Sequence, residues 1–334
     1  WTKSASPSTT SAASKAFIVS TNQSNTTTYT TMKRRDFLRI SLLGGVAATV
    51  LPIDLSAKGS GKSGFTLWQI PSQINTIGNS YVFLTDKGRV VVMDGGVKEE
   101  AMFLKGFLAA LGNKVEAWFI SHPHDDHMGA LNAILENPGE LKIKRIYHSR
   151  FSNALSRSEQ GSHPSTEIFY AQLDALDPAV TEVIDLREPG LELKIDGMNL
   201  KILGVTNEEF AHTNPYNNSS MIIRVWDKAK SIVFLGDAGI ECGDKVLNSA
   251  YRNDLDCDYL QMAHHGQQGC SEDFYKTIKF RACLWPTPTW VWNNDQGQGT
   301  NTGNLKTFDT RRWMDEIGIT EHHVSTVDGL FRLD

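Results

Sequence analysis

The stretch of this chain with the clearest chemical potential is residues 121–127, which read Ser-His-Pro-His-Asp-Asp-His. Imidazole nitrogens and carboxylate oxygens are ligands that zinc and similar divalent metals accept. The chain has 10 histidines in 334 residues, and three of them lie in this turn. His122 and His124 can face one ion while Asp126 and His127 face a neighbouring ion. A polar surface loop is the alternative, and this crowding of histidine argues against it.

Two later motifs follow apolar runs in the same way. Asp237 comes after the apolar run 231–235 and Gly236, where a carboxylate at the end of a strand can bridge two cations. His264 and His265 are followed by Gly266 after the run 259–263. His212 stands in a turn-rich loop before Asp237, and a lone histidine in such a loop is more often an ordinary surface residue.

These motifs, in this order, resemble the metallo-β-lactamase superfamily, whose members carry H-x-H-x-D-H after a strand, then a histidine, a Gly-Asp and a final histidine. The resemblance implies a hydrolase with two divalent metal ions, with zinc as the expected metal and manganese or iron as the alternatives. Asp94 corresponds to a residue that orients a ligand from beneath the site, although a turn-forming Asp-Gly is an equal interpretation. The implied metal ligands are His122, His124, Asp126, His127, His212, Asp237 and His264, with Asp237 bridging. The predicted catalytic residues are Asp126 and His265, the latter either supporting a ligand from behind or donating a proton to the leaving group.

The same resemblance narrows the reaction to hydrolysis of an ester-like bond by water activated between the metals. Several β-lactam-hydrolysing members carry cysteine where this chain has Asp237, which argues against dedicated β-lactam hydrolysis. His264-His265-Gly266 is similar to a motif of the competence-type DNA-uptake hydrolase domain, which slightly favours a phosphodiester substrate. However, the loop 286–303 lacks the histidine that this family places there, so a lactone or thioester remains open.

Two hypotheses from other classes also remain at this stage. One is a non-catalytic periplasmic metal-binding protein, whose ligand shell would be closed by protein groups. The other is a di-iron redox protein, but the related oxygen-reducing members carry glutamate at the position of His124. The sequence therefore disfavours the redox hypothesis.

The pattern of the chain predicts a mixed α/β fold, and the resemblance implies a four-layer αββα sandwich. We expect strands at residues 65–70, 81–84 and 89–93, with a hairpin turn at residues 86–88. Helices are expected at 99–111, 129–135 and about 305–317, and a final hairpin is expected to turn at Asp328-Gly329. Residues 148–164 are polar and irregular, which indicates an inserted loop at the mouth of a pocket.

The first 64 residues differ in composition from the rest. Residues 1–31 are rich in Ser and Thr and are expected to be disordered or non-native. Residues 32–57 resemble a twin-arginine export signal, with Arg34-Arg35 ahead of a modest apolar run, so we expect a periplasmic protein. That run is too short to span a bilayer comfortably, so no stable membrane span is predicted. A linker at 58–64 then leads to a hydrolase domain at 65–334.

Charge and cysteine content limit the partners. The chain carries a formal net charge of −5, and without residues 1–57 it keeps 27 basic and 36 acidic side chains, a net charge of −9. An acidic body of this kind argues against a broad surface for nucleic acid or anionic membrane, although a local basic groove stays open, and it favours a small-molecule or phosphodiester substrate. The four cysteines show no C-x-x-C spacing and indicate neither a zinc ribbon nor a redox motif. The oligomeric state is open.

Overall fold

The computed structural model describes Phe17–Val19, Thr30–Met32 and residues 63–334. Strands β1 (Phe17–Val19) and β2 (Thr30–Met32) pair antiparallel and belong to a unit that spans Trp1–Ala57. The rest of the predicted leader, and the predicted export signal beyond Met32, lie outside the described residues. The second unit, Lys58–Asp334, contains the predicted hydrolase domain and the candidate site.

The first large sheet of this unit is half antiparallel and half parallel. Its order is β17-β3-β4-β5-β6-β8-β9, with β7 paired to β6, and the parallel part begins between β5 and β6. β5 reads Val-Val-Val-Met-Asp and is buried throughout, as expected for a strand covered on both faces. The strands are β3 (Phe65–Gln69), β4 (Ser80–Thr85), β5 (Val90–Asp94), β6 (Lys114–Phe119), β7 (Lys142–Ile143), β8 (Arg145–His148), β9 (Glu182–Asp185) and β17 (Phe331–Leu333).

The second sheet repeats this plan. Its order is β10-β11-β12-β13-β14-β15-β16, antiparallel as far as β13 and parallel from there. The strands are β10 (Glu192–Ile195), β11 (Met198–Gly204), β12 (Ile222–Trp226), β13 (Ser231–Phe234), β14 (Tyr259–Gln261), β15 (Ala282–Trp285) and β16 (Glu321–Val324).

Helices flank the two sheets, which confirms the predicted sandwich. The first helix ends as the sequence indicates, because Gly112 takes the left-handed conformation (φ 101°) that favours glycine after a helix. The helices are α1 (Ala101–Ala110), α2 (Asp125–Glu136), α3 (Asn153–Arg157), α4 (His163–Asp174), α5 (Ile240–Leu247), α6 (Glu272–Thr277), α7 (Thr289–Trp292), α8 (Thr307–Glu316) and α9 (Ser325–Asp328). None of the helices in the described part of the chain has the length and apolar character that crossing a bilayer requires.

Apolar side chains of both sheets form one buried core between them. Phe234 of the second sheet meets Tyr81 and Phe83 of the first, with ring centroids 4.9 and 5.7 Å apart. A second core lies between the second sheet and its helices and includes Leu260, Phe274 and Met314. The two cores fix the sheets face to face, so the ends of their strands meet along a common edge.

Three expectations from the sequence need correction. The expected final hairpin is wrong, because β16 pairs with β15 in one sheet while β17 pairs with β3 in the other. The predicted loop 148–164 instead contains α3 and the start of α4. The helix expected from residue 129 begins at Asp125, so Asp126 and His127 lie in its first turn. For the two corrections that concern helices, burial of one helical face against the rest of the fold decides where the helix forms, and local composition does not reveal it.

Candidate metal centre

The histidine-rich turn connects the end of β6 to the start of α2. His122 lies in the connection, His124 is the residue that caps α2, and Asp126 and His127 lie in its first turn. Helical geometry therefore separates the four side chains into two directions. A carboxylate in the first turn of a helix is also electrostatically favourable, because that end of the helix carries partial positive charge.

Four buried side chains converge on one point, and we call them the inner cluster: Asp126, His127, Asp237 and His265. Each offers one ligand atom, and these atoms all lie within 4.8 Å of one another. His265 Nε2 lies 2.8 Å from Asp126 Oδ2 and 3.4 Å from Asp237 Oδ2, while His127 Nε2 lies 3.1 Å from Asp237 Oδ1. These four residues come from three separate parts of the chain.

In both histidines of the inner cluster, the Nδ1 atom makes a hydrogen bond on the side away from the cluster, so the Nε2 atom faces inward. His265 Nδ1 donates to the carbonyl of Pro286 at 3.0 Å, and His127 Nδ1 donates to Asp94 Oδ2 at 2.8 Å. In the neutral form of each imidazole, with Nδ1 protonated, Nε2 would therefore present a lone pair to a bound cation. Although they lie close together, His127 Nε2 and Asp237 Oδ1 are buried and make no hydrogen bond. Buried polar atoms without hydrogen-bond partners at this spacing fit a bound cation.

A second group, the outer cluster, consists of His122, His124 and the shared Asp237. His122 Nε2 lies 2.9 Å from His124 Nδ1. His122 Nδ1 lies near two hydroxyls, 3.1 Å from Ser121 Oγ and 3.3 Å from Ser220 Oγ. Asp237 thus stands between the two clusters, which is the place predicted for a bridging carboxylate.

The clusters strongly perturb the pKa values of their members. Burial lowers the pKa of His265, but the carboxylates of Asp237 and Asp126 outweigh it and raise that pKa to about 10. Burial raises the pKa of Asp237, yet the neighbouring imidazoles, His127 foremost, bring it well below its usual range. Burial lowers the pKa of His122 well below 6.5, and the adjacent histidines add to this effect. Closely spaced groups of opposite charge therefore stabilise the ionised forms of both carboxylates.

Asp94 occupies the predicted place beneath the site. Its carboxylate accepts from the backbone nitrogen of Ser121 at 2.7 Å, from the Ser121 hydroxyl at 2.9 Å and from the Asn79 amide at 2.7 Å, besides its bond with His127. These contacts are those that the interpretation of Asp94 as an orienting residue requires, since its bond with His127 Nδ1 directs His127 Nε2 to the inner cluster.

Backbone geometry explains how Asp237 reaches the site. Gly236 has a φ of 55°, and a Cβ at this position would lie 3.0 Å from Ser121 Cβ and 3.1 Å from Ser220 Cβ. The backbone nitrogen of Asp237 then donates to Ser220 Oγ at 3.0 Å. Glycine therefore allows the end of β13 to approach the histidine turn closely.

The paired histidines exchange the places expected for them. His264, His265 and Gly266 all have positive φ, at 52°, 55° and 80°. This left-handed run directs His265 into the inner cluster. His264 instead lies 3.9 Å from Asp237 Oδ2, and its Nδ1 donates to the carbonyl of Gln268 at 3.0 Å. The structure thus brings His265, and not the expected ligand His264, into the inner cluster, and the spacing of the motif alone cannot distinguish the two.

His212 is not brought to the site in the part of the chain that the structure describes. It is exposed in a turn and belongs to neither cluster. The buried segment 217–220 lies against the site in its place, with Ser220 contacting His122. Its sequence, Asn-Asn-Ser-Ser, is the only signal that could have indicated that this segment, and not His212, lies against the site.

Comparisons with known proteins find one family and several solved structures that are similar to this chain. The model of the family described as "Metallo-beta-lactamase superfamily" matches residues 75–268, a span that includes both clusters. The metallo-beta-lactamase fold protein YhfI from Bacillus subtilis is 14% identical, with 81% of this chain and 100% of that chain covered and a TM-score of 0.51. Tm1679, described as a metal-dependent hydrolase of the beta-lactamase superfamily, is 14% identical, with 81% and 98% covered and a TM-score of 0.47. No curated protein matches the sequence.

Proposed function

Because the chain belongs to the metallo-beta-lactamase superfamily, we propose that it is a metal-dependent hydrolase of an ester-like bond, with a phosphodiester as the favoured substrate. One observation carries this proposal. The buried inner cluster has four donor atoms, whereas the adjoining outer cluster has three and is partly exposed at His124, whose side chain is 16% accessible. Three protein ligands leave a coordination position for water or substrate, as catalytic zinc sites require. A closed, purely structural site would not be built this way.

The residues have distinct roles in this proposal. Asp126, His127 and His265 would hold one metal, His122 and His124 would hold the other, and Asp237, which belongs to both clusters, would serve either ion. When bound, two divalent ions supply Lewis acidity and lower the pKa of a coordinated water. Zinc is the expected metal, because the donors are imidazoles and carboxylates, and this donor set is also compatible with manganese or iron.

The exchange of the two histidines gives His264 a role in proton transfer. It is partly exposed, and its Nε2 lies 3.4 Å from the amide nitrogen of Asn217 near the edge of the site. Burial lowers the pKa of His264 from its ordinary value, so the imidazole is neutral at pH 7. A neutral imidazole at this edge is suited to accept a proton from water and return it to a leaving group.

The test compares Asp126→Asn with its neighbour Asp125→Asn. Asp126 belongs to the inner cluster, whereas Asp125 is exposed and contacts Ser165. The purified proteins are assayed for metal content and for turnover of bis-p-nitrophenyl phosphate, a lactone, a thioester and a chromogenic cephalosporin. We expect Asp126→Asn to lose at least about 100-fold in turnover, since even outer partners of ligands cost about 10–100-fold. Equal turnover by both variants would refute the mechanism.

The pattern of substrates decides between the alternatives. Phosphodiester turnover supports the favoured class, for which the resemblance of His264-His265-Gly266 to the competence-type domain is the argument. Turnover confined to the lactone or thioester would support the small-molecule alternative, which the acidic composition favours. Bound metal without turnover of any substrate would indicate a binding protein.

We also propose that residues 32–57 direct twin-arginine export to a bacterial periplasm. The support is the sequence Arg34-Arg35 followed by Phe37-Leu38 and a short apolar run. We expect the full chain to appear in the periplasmic fraction of a host with this pathway, and Arg34→Lys with Arg35→Lys to retain it in the cytoplasm. Export in a host that lacks the pathway would contradict the proposal.

A further inference from the structure

One carboxylate outside both clusters contacts a proposed metal ligand directly. Glu159 lies between α3 and α4, in the segment that the sequence indicates as an insertion. Its Oε1 lies 2.8 Å from His124 Nε2, and it also accepts a hydrogen bond from the Ser162 hydroxyl. Within the described part of the chain, Glu159 is the carboxylate that pairs with His124, whereas Asp237 shares the outer cluster with His124 without an ion pair to it.

This contact determines which nitrogen of His124 faces the outer cluster. An ionised carboxylate only accepts hydrogen bonds, so His124 Nε2 carries the proton. The lone pair then lies on Nδ1, and Nδ1 is the atom 2.9 Å from His122 Nε2. The carboxylate therefore selects the tautomer in which His124 presents a metal-binding nitrogen to the cluster.

The same segment also holds the plane of the ring. Tyr216 stacks on His124, with ring centroids 5.0 Å apart and planes inclined by 14°. Its hydroxyl donates to the Ser156 carbonyl at 2.8 Å and lies 3.0 Å from the Thr166 hydroxyl. Ser156 belongs to α3 and Thr166 to α4. The two helices therefore hold the Tyr216 ring that stacks on His124, and the connection between them carries Glu159.

From this geometry we infer that Glu159 is a positioning residue, which orients His124 for the metal of the outer cluster and does not bind that metal itself. Glu159 contacts the nitrogen remote from the cluster and is in neither group of converging ligand atoms. The outer cluster has three protein donors, because His212 lies elsewhere. A site with few donors depends strongly on how each one is oriented. The inference rests on the proposed two-metal function.

Zinc titration of the apo protein against a chromophoric chelator tests the inference. We expect the wild-type protein to bind two equivalents and Glu159→Ala to bind one of them about 10–100-fold more weakly, the usual cost of losing an outer carboxylate partner. The other equivalent should be unchanged. Glu159→Gln should lose much less, because its amide oxygen still accepts from Nε2. The matched control is Glu167→Ala on α4, since Glu167 is half-exposed and lies near His163 rather than a cluster.

A metal-free measurement separates failure of this inference from failure of the proposed function. Long-range ¹H–¹⁵N spectra of the apo protein should show His124 protonated at Nε2 in the wild type and in Glu159→Gln, and a mixture of tautomers in Glu159→Ala. Unchanged affinities and tautomers in Glu159→Ala would overturn the inference. Equal losses of zinc in Glu159→Ala and Glu159→Gln would overturn it too, in favour of direct coordination. A wild-type protein that binds no metal but keeps the tautomer contradicts only the two-metal function.

Discussion

Replacement of His265 by glutamine tests the assignment of the inner cluster most directly. The change removes the imidazole whose Nε2 lies 2.8 Å from Asp126 and 3.4 Å from Asp237, both largely buried carboxylates. The pKa of about 10 means that His265 carries a positive charge there at neutral pH in the absence of metal. Removing one member of a buried ion pair costs about 3–5 kcal/mol, because the remaining charge is left uncompensated. We expect the metal-free variant to lose about that much free energy of unfolding.

The same substitution, His265→Gln, should also weaken zinc binding. Because His265 supplies one of four inner donors, we expect one zinc equivalent to bind at least about 100-fold more weakly in His265→Gln. Losing a residue that only supports a ligand costs about 10–100-fold in metal affinity, and losing a ligand should cost more. The expected loss of about 100-fold corresponds to about 2.8 kcal/mol of binding free energy. Urea unfolding in the presence of a chelator measures the first quantity, and competition with a chromophoric chelator measures the second.

The adjacent His264 provides the matched control. Its Nδ1 bonds only to the carbonyl of Gln268, and it belongs to neither cluster. His264→Gln should therefore change the stability and zinc affinity by no more than about 0.5 kcal/mol, as is usual away from buried networks. Its turnover should fall if it transfers a proton. Loss of zinc by His264→Gln with zinc retained by His265→Gln would show that the reasoning from the left-handed turn is wrong.

Two predictions concern stability away from the ligands. Burial lowers the pKa of His148 to about 4, so between pH 6.5 and 4 the unfolded chain binds a proton that the native state does not, and stability falls by about 3 kcal/mol as the pH falls through this range. His148→Phe, which keeps the packing against Phe169 and Tyr170, should lose less stability between pH 7.5 and 4.5 in urea unfolding; an identical loss would contradict this. Gly129→Ala should lower stability by about 1–3 kcal/mol despite the higher helix propensity of alanine, because its Cβ would lie 2.8 Å from the Lys98 backbone nitrogen. A Cβ at Gly106 on α1 would meet no atom within 4 Å, so Gly106→Ala should be stabilising. Thermal melts of both variants measure these effects, and similar shifts in the two would refute the clash.

Local patterns in the sequence predict the strands and the histidine turn well. The β4–β5 hairpin turns at residues 86–88 as expected, because Gly88 takes a positive φ there and its nitrogen donates to the carbonyl of Thr85. The histidines and the aspartate at positions 122, 124, 126 and 127 are informative because only a few residues separate them along the chain. Residues that are close in sequence are positioned by geometry that the sequence specifies directly.

The failures of prediction all depend on contacts between distant parts of the chain. The exchange of His264 and His265 requires three successive left-handed residues, held by the Thr287 hydroxyl, which donates to the His265 carbonyl at 2.7 Å. Glu159 lies 35 positions from His124 in the sequence. It lies in a polar segment whose composition gives no indication of α3 and α4. Neither feature produces a periodic or compositional pattern in the sequence, so only the folded structure identifies these residues.

The arrangement of the sheets explains why the site is shared between the two halves of the domain. In each half the antiparallel strands change to parallel ones, at β5–β6 in the first and at β13–β14 in the second. The carboxyl ends of these parallel strands lie at one edge, and the loops that follow β6, β13 and β14 carry His122, Asp237 and His265. Neither half alone holds the inner cluster, because Asp126 and His127 come from the first and the other two ligands from the second. Metal binding should therefore stabilise the packing of the two sheets against each other, since the ion binds the native arrangement and not the unfolded chain.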